Sequence, residues 1–282
     1  MRPSSLSVIG LGAIGGSLAW QARLAGIPRV VGYTRERAEG VQALRASAIT
    51  EMADTPARAL LGSDLVVLAL PPRPTVELIG TLGPKLEPGA LLTDVCSVKR
   101  SIVARAAAAG LGDRFAGGHP LTGTHDSGFA AARPDRLRGC VVYVCQTGTP
   151  GGHRAAAAVM SFWEEVLGAS PILIDAAAHD RQLAWTSHLP QAVASALAKT
   201  LEERQLGGLS FGPGARDTTR LAASSPDMWL DIMLENADEL AQALAQTEVS
   251  LSELRRLLLE RDGQGLLRYL TRAQQFRRGL DR

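Results

Sequence analysis

Apolar residues run almost unbroken through Ser7-Val8-Ile9-Gly10, Arg29-Val30-Val31-Gly32-Tyr33, Asp64-Leu65-Val66-Val67-Leu68-Ala69-Leu70 and Gly89-Ala90-Leu91-Leu92-Thr93-Asp94-Val95. A strand with one wet face would alternate, so continuous runs separated by helical stretches predict a parallel sheet covered on both sides. Arg114-Phe115-Ala116-Gly117-Gly118 and Cys140 to Cys145 extend the series, and Pro171-Ile172-Leu173-Ile174 reads as its last strand. Beyond Asp175 the texture changes, with leucine and alanine recurring at helical spacing to the end. The pattern predicts one long helix over His179 to Arg204, a shorter one over Ala215 to Ser224, and a long one from Pro226 to about Leu259. A terminal helix follows Gly263 and Gly265 and ends near Arg278. The expected class is α/β, with a sheet domain over residues 1–174 and an all-helical domain over 175–282.

Between the first apolar run and a helix predicted over Gly15 to Ala25 stands Gly10-Leu11-Gly12-Ala13-Ile14-Gly15. In such a turn the first glycine permits the bend, the second lets backbone amides approach a pyrophosphate, and the third lets the helix lie close on the strand. These six residues are the expected dinucleotide cradle. After the second strand, an acidic side chain suits a free ribose 2′-hydroxyl, whereas cations and hydroxyls suit a 2′-phosphate. The chain has Thr34-Arg35-Glu36-Arg37 there. Thr34 can donate one hydrogen bond, Arg35 can fork onto a phosphate and Arg37 can assist, so NADP is expected ahead of NAD. Glu36 turned inward would reverse that order. Leu70 and Pro71, with Pro72 behind them, are expected to leave a loop against the nicotinamide side. Ser97, in Asp94-Val95-Cys96-Ser97-Val98-Lys99, either faces the site or caps the helix from Val98 onward.

Composition narrows the partner. The chain has 282 residues, and a formal net charge of +2 with both signs interspersed suggests neither a nucleic-acid nor a membrane surface. No apolar run reaches the length of a bilayer span without a charge or proline, so a small molecule is the expected partner. Three cysteines and no charged-then-apolar leader point to reduced thiols in a cytoplasmic compartment. No metal site is expected.

Candidate chemistry centres on His119, in Gly117-Gly118-His119-Pro120-Leu121-Thr122-Gly123-Thr124. Flanking glycines relieve crowding and the proline stiffens the exit, which reads as an imidazole held in a turn against a small ligand. With the glycine loop, this reads as a nicotinamide oxidoreductase with a histidine base. In Ser187-His188-Leu189-Pro190-Gln191 the proline removes a backbone donor and must bend the helix, turning His188 and Gln191 toward the junction of the two halves. Arg216 and Arg220, four apart, would share one helix face.

In order and spacing these stretches resemble the prephenate/arogenate dehydrogenase family of tyrosine biosynthesis. The resemblance spans nearly the whole chain and includes His179-Asp180, Arg216-Asp217-Thr218-Thr219-Arg220-Leu221-Ala222 and Pro226-Asp227-Met228-Trp229. It implies a Rossmann-type domain followed by an all-α dimerisation domain, the two-domain shape of 6-phosphogluconate dehydrogenases, assembled as a homodimer. It implies oxidative decarboxylation of a cyclohexadienol, with His119 as the catalytic acceptor and Ser97 bonding His119 together with the substrate or nicotinamide. Arg220 would hold the ring carboxylate; Arg216 would assist it or pair with an acid. Thr124 and His125 would read the substrate side chain: a histidine suits the keto group of prephenate, whereas Asp126 facing inward suits the ammonium of arogenate. His179 with Asp180 simply begins a helix. Alternatives are a β-hydroxyacid dehydrogenase or imine reductase of similar shape, and a catalytically silent NADP-binding regulator.

Overall fold

The computed structural model describes residues 1–122, 127–204 and 211–280. Eight strands, β1 Ser5–Ile9, β2 Arg29–Tyr33, β3 Glu51–Met52, β4 Leu65–Leu68, β5 Leu91–Asp94, β6 Phe115–Pro120, β7 Val141–Gln146 and β8 Ser170–Leu173, form one sheet in the order β3-β2-β1-β4-β5-β6-β7-β8. Helices α1 Ala13–Leu24, α2 Arg37–Arg45, α3 Pro56–Ala59, α4 Pro72–Leu82, α5 Arg100–Ala108 and α6 Pro150–Ser161 alternate with the strands. The first six strands are parallel in the doubly wound order.

β1 and β4 are wholly buried. Because successive side chains point to opposite faces, Leu6 and Val8 enter one apolar layer with Leu18, Ala22 and Phe162, while Ile9 enters the other with Leu68, Ile79 and Ile102. Both faces are covered, which is why these strands read as continuous apolar runs.

Two departures from the sequence expectation lie at the sheet edges. β7 pairs antiparallel to β6, and β8 then runs parallel to β7. A parallel neighbour needs a long crossover, and the only helix described between β6 and β7 is a short 3-10 turn at Phe129–Ala131. At the other edge, β3 is two residues long and too short to leave an apolar signature.

After β8 every described element is helical: α7 Ala176–Leu183, α8 Leu189–Glu203, α9 Pro213–Thr219, α10 Pro226–Glu235, α11 Ala237–Leu259 and α12 Gly263–Gly279. The long helix around His188 is continuous but widens into a π turn at Ala184–His188, just ahead of Pro190. Proline has no N–H to donate and its ring crowds the carbonyl four residues back, so an extra residue in the turn accommodates it. The helix expected over Pro226 to Leu259 breaks at Asn236, whose φ of −123° is not helical. The helix expected over Ala215 to Ser224 becomes α9 and a 3-10 turn at Arg220–Ala223, so Arg216 and Arg220 do not share one α-helical face. Gly263 and Gly265 lie in the first turn of α12 rather than before it, with Asp262 accepting the Gly265 amide at 2.9 Å.

Candidate active site

Four parallel strands deliver the candidate residues to one edge of the sheet: the glycine loop follows β1, Leu70 and Pro71 follow β4, Val95 to Lys99 follow β5, and His119 lies within β6. At the loop, Gly10 has φ +101°, and a Cβ there would stand 2.2 Å from the Ala69 carbonyl oxygen. A Cβ on Gly15 would lie 1.9 Å from the Gly10 oxygen, so this glycine is required for α1 to close on the loop. At Gly12 a Cβ would meet nothing within 4 Å, and no side chain caps α1. The space beside Gly12 at the N-terminus of α1 is therefore open, which fits a pyrophosphate. Leu11 contributes backbone only, because its side chain is fully buried against Gly32.

At the ribose end, the Thr34 hydroxyl donates to Glu39 Oε2 at 3.1 Å, a half-buried carboxylate that sequence reasoning missed. Glu36, considered in its place, is exposed at the start of α2. Arg35 and Arg37 are exposed and form no ion pair among the described residues. The loop expected at Pro71-Pro72 is instead the start of α4, with Pro72 in the first turn, where a missing N–H costs nothing. Leu70 packs against Gly10, closing the β4 end over the glycine loop.

His119 does not sit in a turn. It is the fifth residue of β6, paired with Tyr143 of β7, and the residue is 8% exposed. The glycines before it serve close packing: a Cβ on Gly118 would lie 2.6 Å from the Asp94 carbonyl, and one on Gly117 3.1 Å from Lys99 Cδ. Underneath, the fully buried carboxylate of Asp94 accepts from the amides of Cys96 at 2.8 Å and Gly118 at 3.2 Å and pairs with the fully buried Lys99 ammonium. β5 and β6 are thereby fixed beneath the imidazole.

Beside His119 lies a chain of hydrogen bonds from the helical half. His119 Nδ1 is 2.8 Å from His179 Nε2, and His179 Nδ1 is 2.7 Å from Asp180 Oδ1. Asp180 also accepts the amides of Lys99 at 2.8 Å and Arg100 at 2.9 Å, so a carboxylate from α7 caps α5 in the sheet half. Its carbonyl accepts from Asn236 Nδ2 at 2.8 Å, and the same nitrogen is 3.1 Å from His188 Nδ1. Ser97 thus neither caps α5 nor holds Nδ1 of His119; it stands half-buried at the same strand edge.

Burial, reinforced by His179 and Lys99, drives the His119 imidazole well below its ordinary range, and burial takes His188 down to about 4. Burial also lowers His179 despite its bond to Asp180. Although burial alone would raise Asp180, its bonds from His179 and the Arg100 amide hold it below the usual carboxylate range. The three rings are neutral beside an ionised carboxylate, and an uncharged imidazole in a dry site can accept a proton.

His119 and His188 are joined through His179, Asp180 and Asn236, and His188 Nε2 and, three residues on, Gln191 Oε1 are both buried and without a hydrogen-bond partner among the described residues. Trp229 packs edge-on against His188, ring centroids 6.0 Å apart, and its own indole nitrogen is also unpartnered. Buried polar atoms normally find partners, so this cluster is suited to a polar ligand. Arg220 lies on the 3-10 turn packed against α8, which carries Gln191, and Arg216 on α9; both arginines are exposed. Thr124 and His125 lie outside the described residues. Sequence reasoning missed His179, Asp180 and Asn236 as parts of the site.

Residues 19–172 match the prephenate dehydrogenase nucleotide-binding domain and residues 175–272 the prephenate dehydrogenase dimerization domain. A cyclohexadienyl dehydrogenase of Zymomonas mobilis subsp. mobilis is 32% identical, over 98% of this chain and 95% of that protein. The crystal structure of prephenate dehydrogenase from A. aeolicus in complex with hydroxyphenyl propionate and NAD+ superposes with a TM-score of 0.91 at 31% identity, covering 98% of both chains. Synechocystis arogenate dehydrogenase superposes with a TM-score of 0.80 at 27% identity, over 98% of this chain and 99% of that one.

Proposed function

The chain belongs to the prephenate dehydrogenase family, and on that premise we propose that it converts prephenate to 4-hydroxyphenylpyruvate in tyrosine biosynthesis, with NADP preferred and arogenate as the alternative substrate. The observation that carries the reading is the buried His119 at the same sheet edge as the glycine loop, joined through His179, Asp180 and Asn236 to His188 of the helical half.

The backbone at Gly12, Ala13 and Ile14 would hold the pyrophosphate of a nicotinamide dinucleotide, with Gly10 and Gly15 giving the loop its shape. When bound, the oxidised nicotinamide supplies the hydride acceptor. As C4 of the diene loses hydride its hydroxyl becomes acidic, and His119 accepts that proton. The bond from C1 to its carboxylate then breaks, CO2 leaves, and the electron pair completes the aromatic ring. The resulting phenolate recovers a proton from His119, so the imidazole ends the cycle neutral. Arg220 holds the ring carboxylate until it departs, with Arg216 as an outer cation; a planar guanidinium suits a carboxylate. His188 and Gln191 take the polar side chain, with Thr124 and His125 reading its end. Ser97 faces the junction of substrate and nicotinamide.

Exposed Arg35 and Arg37, with Thr34, favour a ribose 2′-phosphate. Glu39 beside Thr34 is the feature that favours NAD. The dimerization-domain match supports a homodimer as the working form.

Steady-state rates with prephenate and arogenate, each with NAD and NADP, test the proposal. Prephenate with NADP should give the highest kcat/KM. Equal use of the two cofactors by the wild type would remove the phosphate-fork assignment, a dominant arogenate rate would reassign the substrate, and no reduced cofactor with either substrate would leave a silent nucleotide-binding protein.

A further inference from the structure

Resting on the reading of His119 as the base, we propose that the hydrogen-bond network sets the two site histidines in opposite neutral tautomers: His119 carries its proton on Nδ1 and has a bare Nε2, while His188 carries its proton on Nε2. Each assignment starts from a group at one end of the network that has a single role, and the one for His119 also uses the neutral state that burial gives His179.

For His119 the fixed end is Asp180. An ionised carboxylate only accepts, so the 2.7 Å contact requires His179 to donate from Nδ1. A neutral His179 then has a bare Nε2, which can only accept across its 2.8 Å contact with His119 Nδ1. His119 must donate from Nδ1, and a neutral ring protonated there is bare at Nε2. The amides of Lys99 and Arg100 hold the Asp180 carboxylate in place, so the arrangement depends on the helical half being docked on α5.

For His188 the fixed end is Arg100. A guanidinium only donates, and its Nη2 is 3.1 Å from Asn236 Oδ1, which settles which end of that amide is oxygen. The amide nitrogen therefore faces both the Asp180 carbonyl at 2.8 Å and His188 Nδ1 at 3.1 Å, and it can only donate. His188 Nδ1 accepts, so the ring proton sits on Nε2, the buried atom without a protein partner.

The pair is then complementary. His119 takes a proton and His188 gives a hydrogen bond, so a substrate hydroxyl is matched to the first and a carboxylate or carbonyl oxygen to the second. Once protonated, His119 still donates from Nδ1 to His179, so its new charge is backed by the Asp180 carboxylate without any ring turning. His179, Asp180 and Asn236 are positioning residues in this scheme.

Long-range 15N–1H correlation spectra of the ligand-free dimer with 15N-labelled histidine, near neutral pH, read the tautomers directly. His119→Asn and His188→Asn assign the two rings among the five histidines of the chain. The expected result is a pyridine-like Nε2 on His119 and a pyridine-like Nδ1 on His188. A protonated Nε2 on His119, or a protonated Nδ1 on His188, overturns the scheme. His179→Phe keeps an aromatic ring against Tyr143 and frees His119, whose proton should move largely to Nε2, with kcat falling at least tenfold while cofactor affinity holds; an unchanged His119 tautomer in that variant also overturns the scheme. Because the spectra need no substrate, failure of the proposed reaction and failure of the tautomer assignment show up separately.

Discussion

Among single residues, His119 carries the proposed chemistry. Its replacement by asparagine removes the proton acceptor while keeping a polar side chain of similar reach, and kcat should fall by about 10²-fold or more, with substrate binding less affected. Steady-state kinetics check this, and retained turnover would take His119 out of the mechanism. Burial lowers its affinity for protons, so the neutral form persists to lower pH than a free imidazole allows. The acid limb of kcat/KM should therefore fall below about pH 6.5, the ordinary imidazole value. A limb at or above that value would contradict the buried environment. The glycine loop and the bent helix at His188 were legible because their geometry follows from neighbouring residues, whereas His119 stood out by its glycine-rich setting although the turn expected there is a strand. His179 was not legible. It touches a residue 60 positions away, and the adjacent His179-Asp180 pair reads locally as an ordinary helix start. Glu39 escaped for a related reason: it reaches Thr34 from the first turn of the following helix rather than from the strand end.

At the element scale, the places where regular structure gives way are the places that hold the site. The π turn before Pro190 contains His188, and the break between α10 and α11 is at Asn236, whose side chain is tied to Arg100, Asp180 and His188. Apolar periodicity continues across both, so it marks neither the widened turn nor the break that divides the helix expected from Pro226 to about Leu259. The sheet was more legible because its central strands are buried on both faces and nothing at their middles competes with that burial. Asp180→Ala would strip α5 of its cap and leave buried donors on Lys99, Arg100 and His179 without an acceptor. The expected loss is roughly 2 kcal/mol or more in urea unfolding, with catalysis impaired as well. A loss below about 0.5 kcal/mol would show that this contact does not tie the two halves. Gly15→Ala should abolish dinucleotide binding in fluorescence titration, since its Cβ would meet the Gly10 oxygen at 1.9 Å.

At the scale of the whole molecule, the C-terminal helices leave Leu258, Leu259, Leu267 and Leu270 exposed within the region matched to the dimerization domain, and Phe276 exposed just beyond it. Sedimentation velocity should show a dimer, and Leu267→Asp with Leu270→Asp should shift it toward monomer. No helix of the described residues is long and apolar enough to cross a membrane. Stability should carry the signature of three buried neutral imidazoles. Each binds protons less well folded than unfolded, so the unfolded chain gains protons first below about pH 6.5, and stability falls as pH drops from there toward 4, the value for His188. In the proposed reaction the diene hydroxyl rests on His119, between the sheet half and the helical half. The most direct test of this placement is a crystal structure with the product, 4-hydroxyphenylpyruvate, and the dinucleotide bound. The account predicts the phenol oxygen about 2.6–3.2 Å from His119 Nε2, with the side chain reaching His188. A product ring bound away from His119, or held by one half of the chain alone, would contradict it.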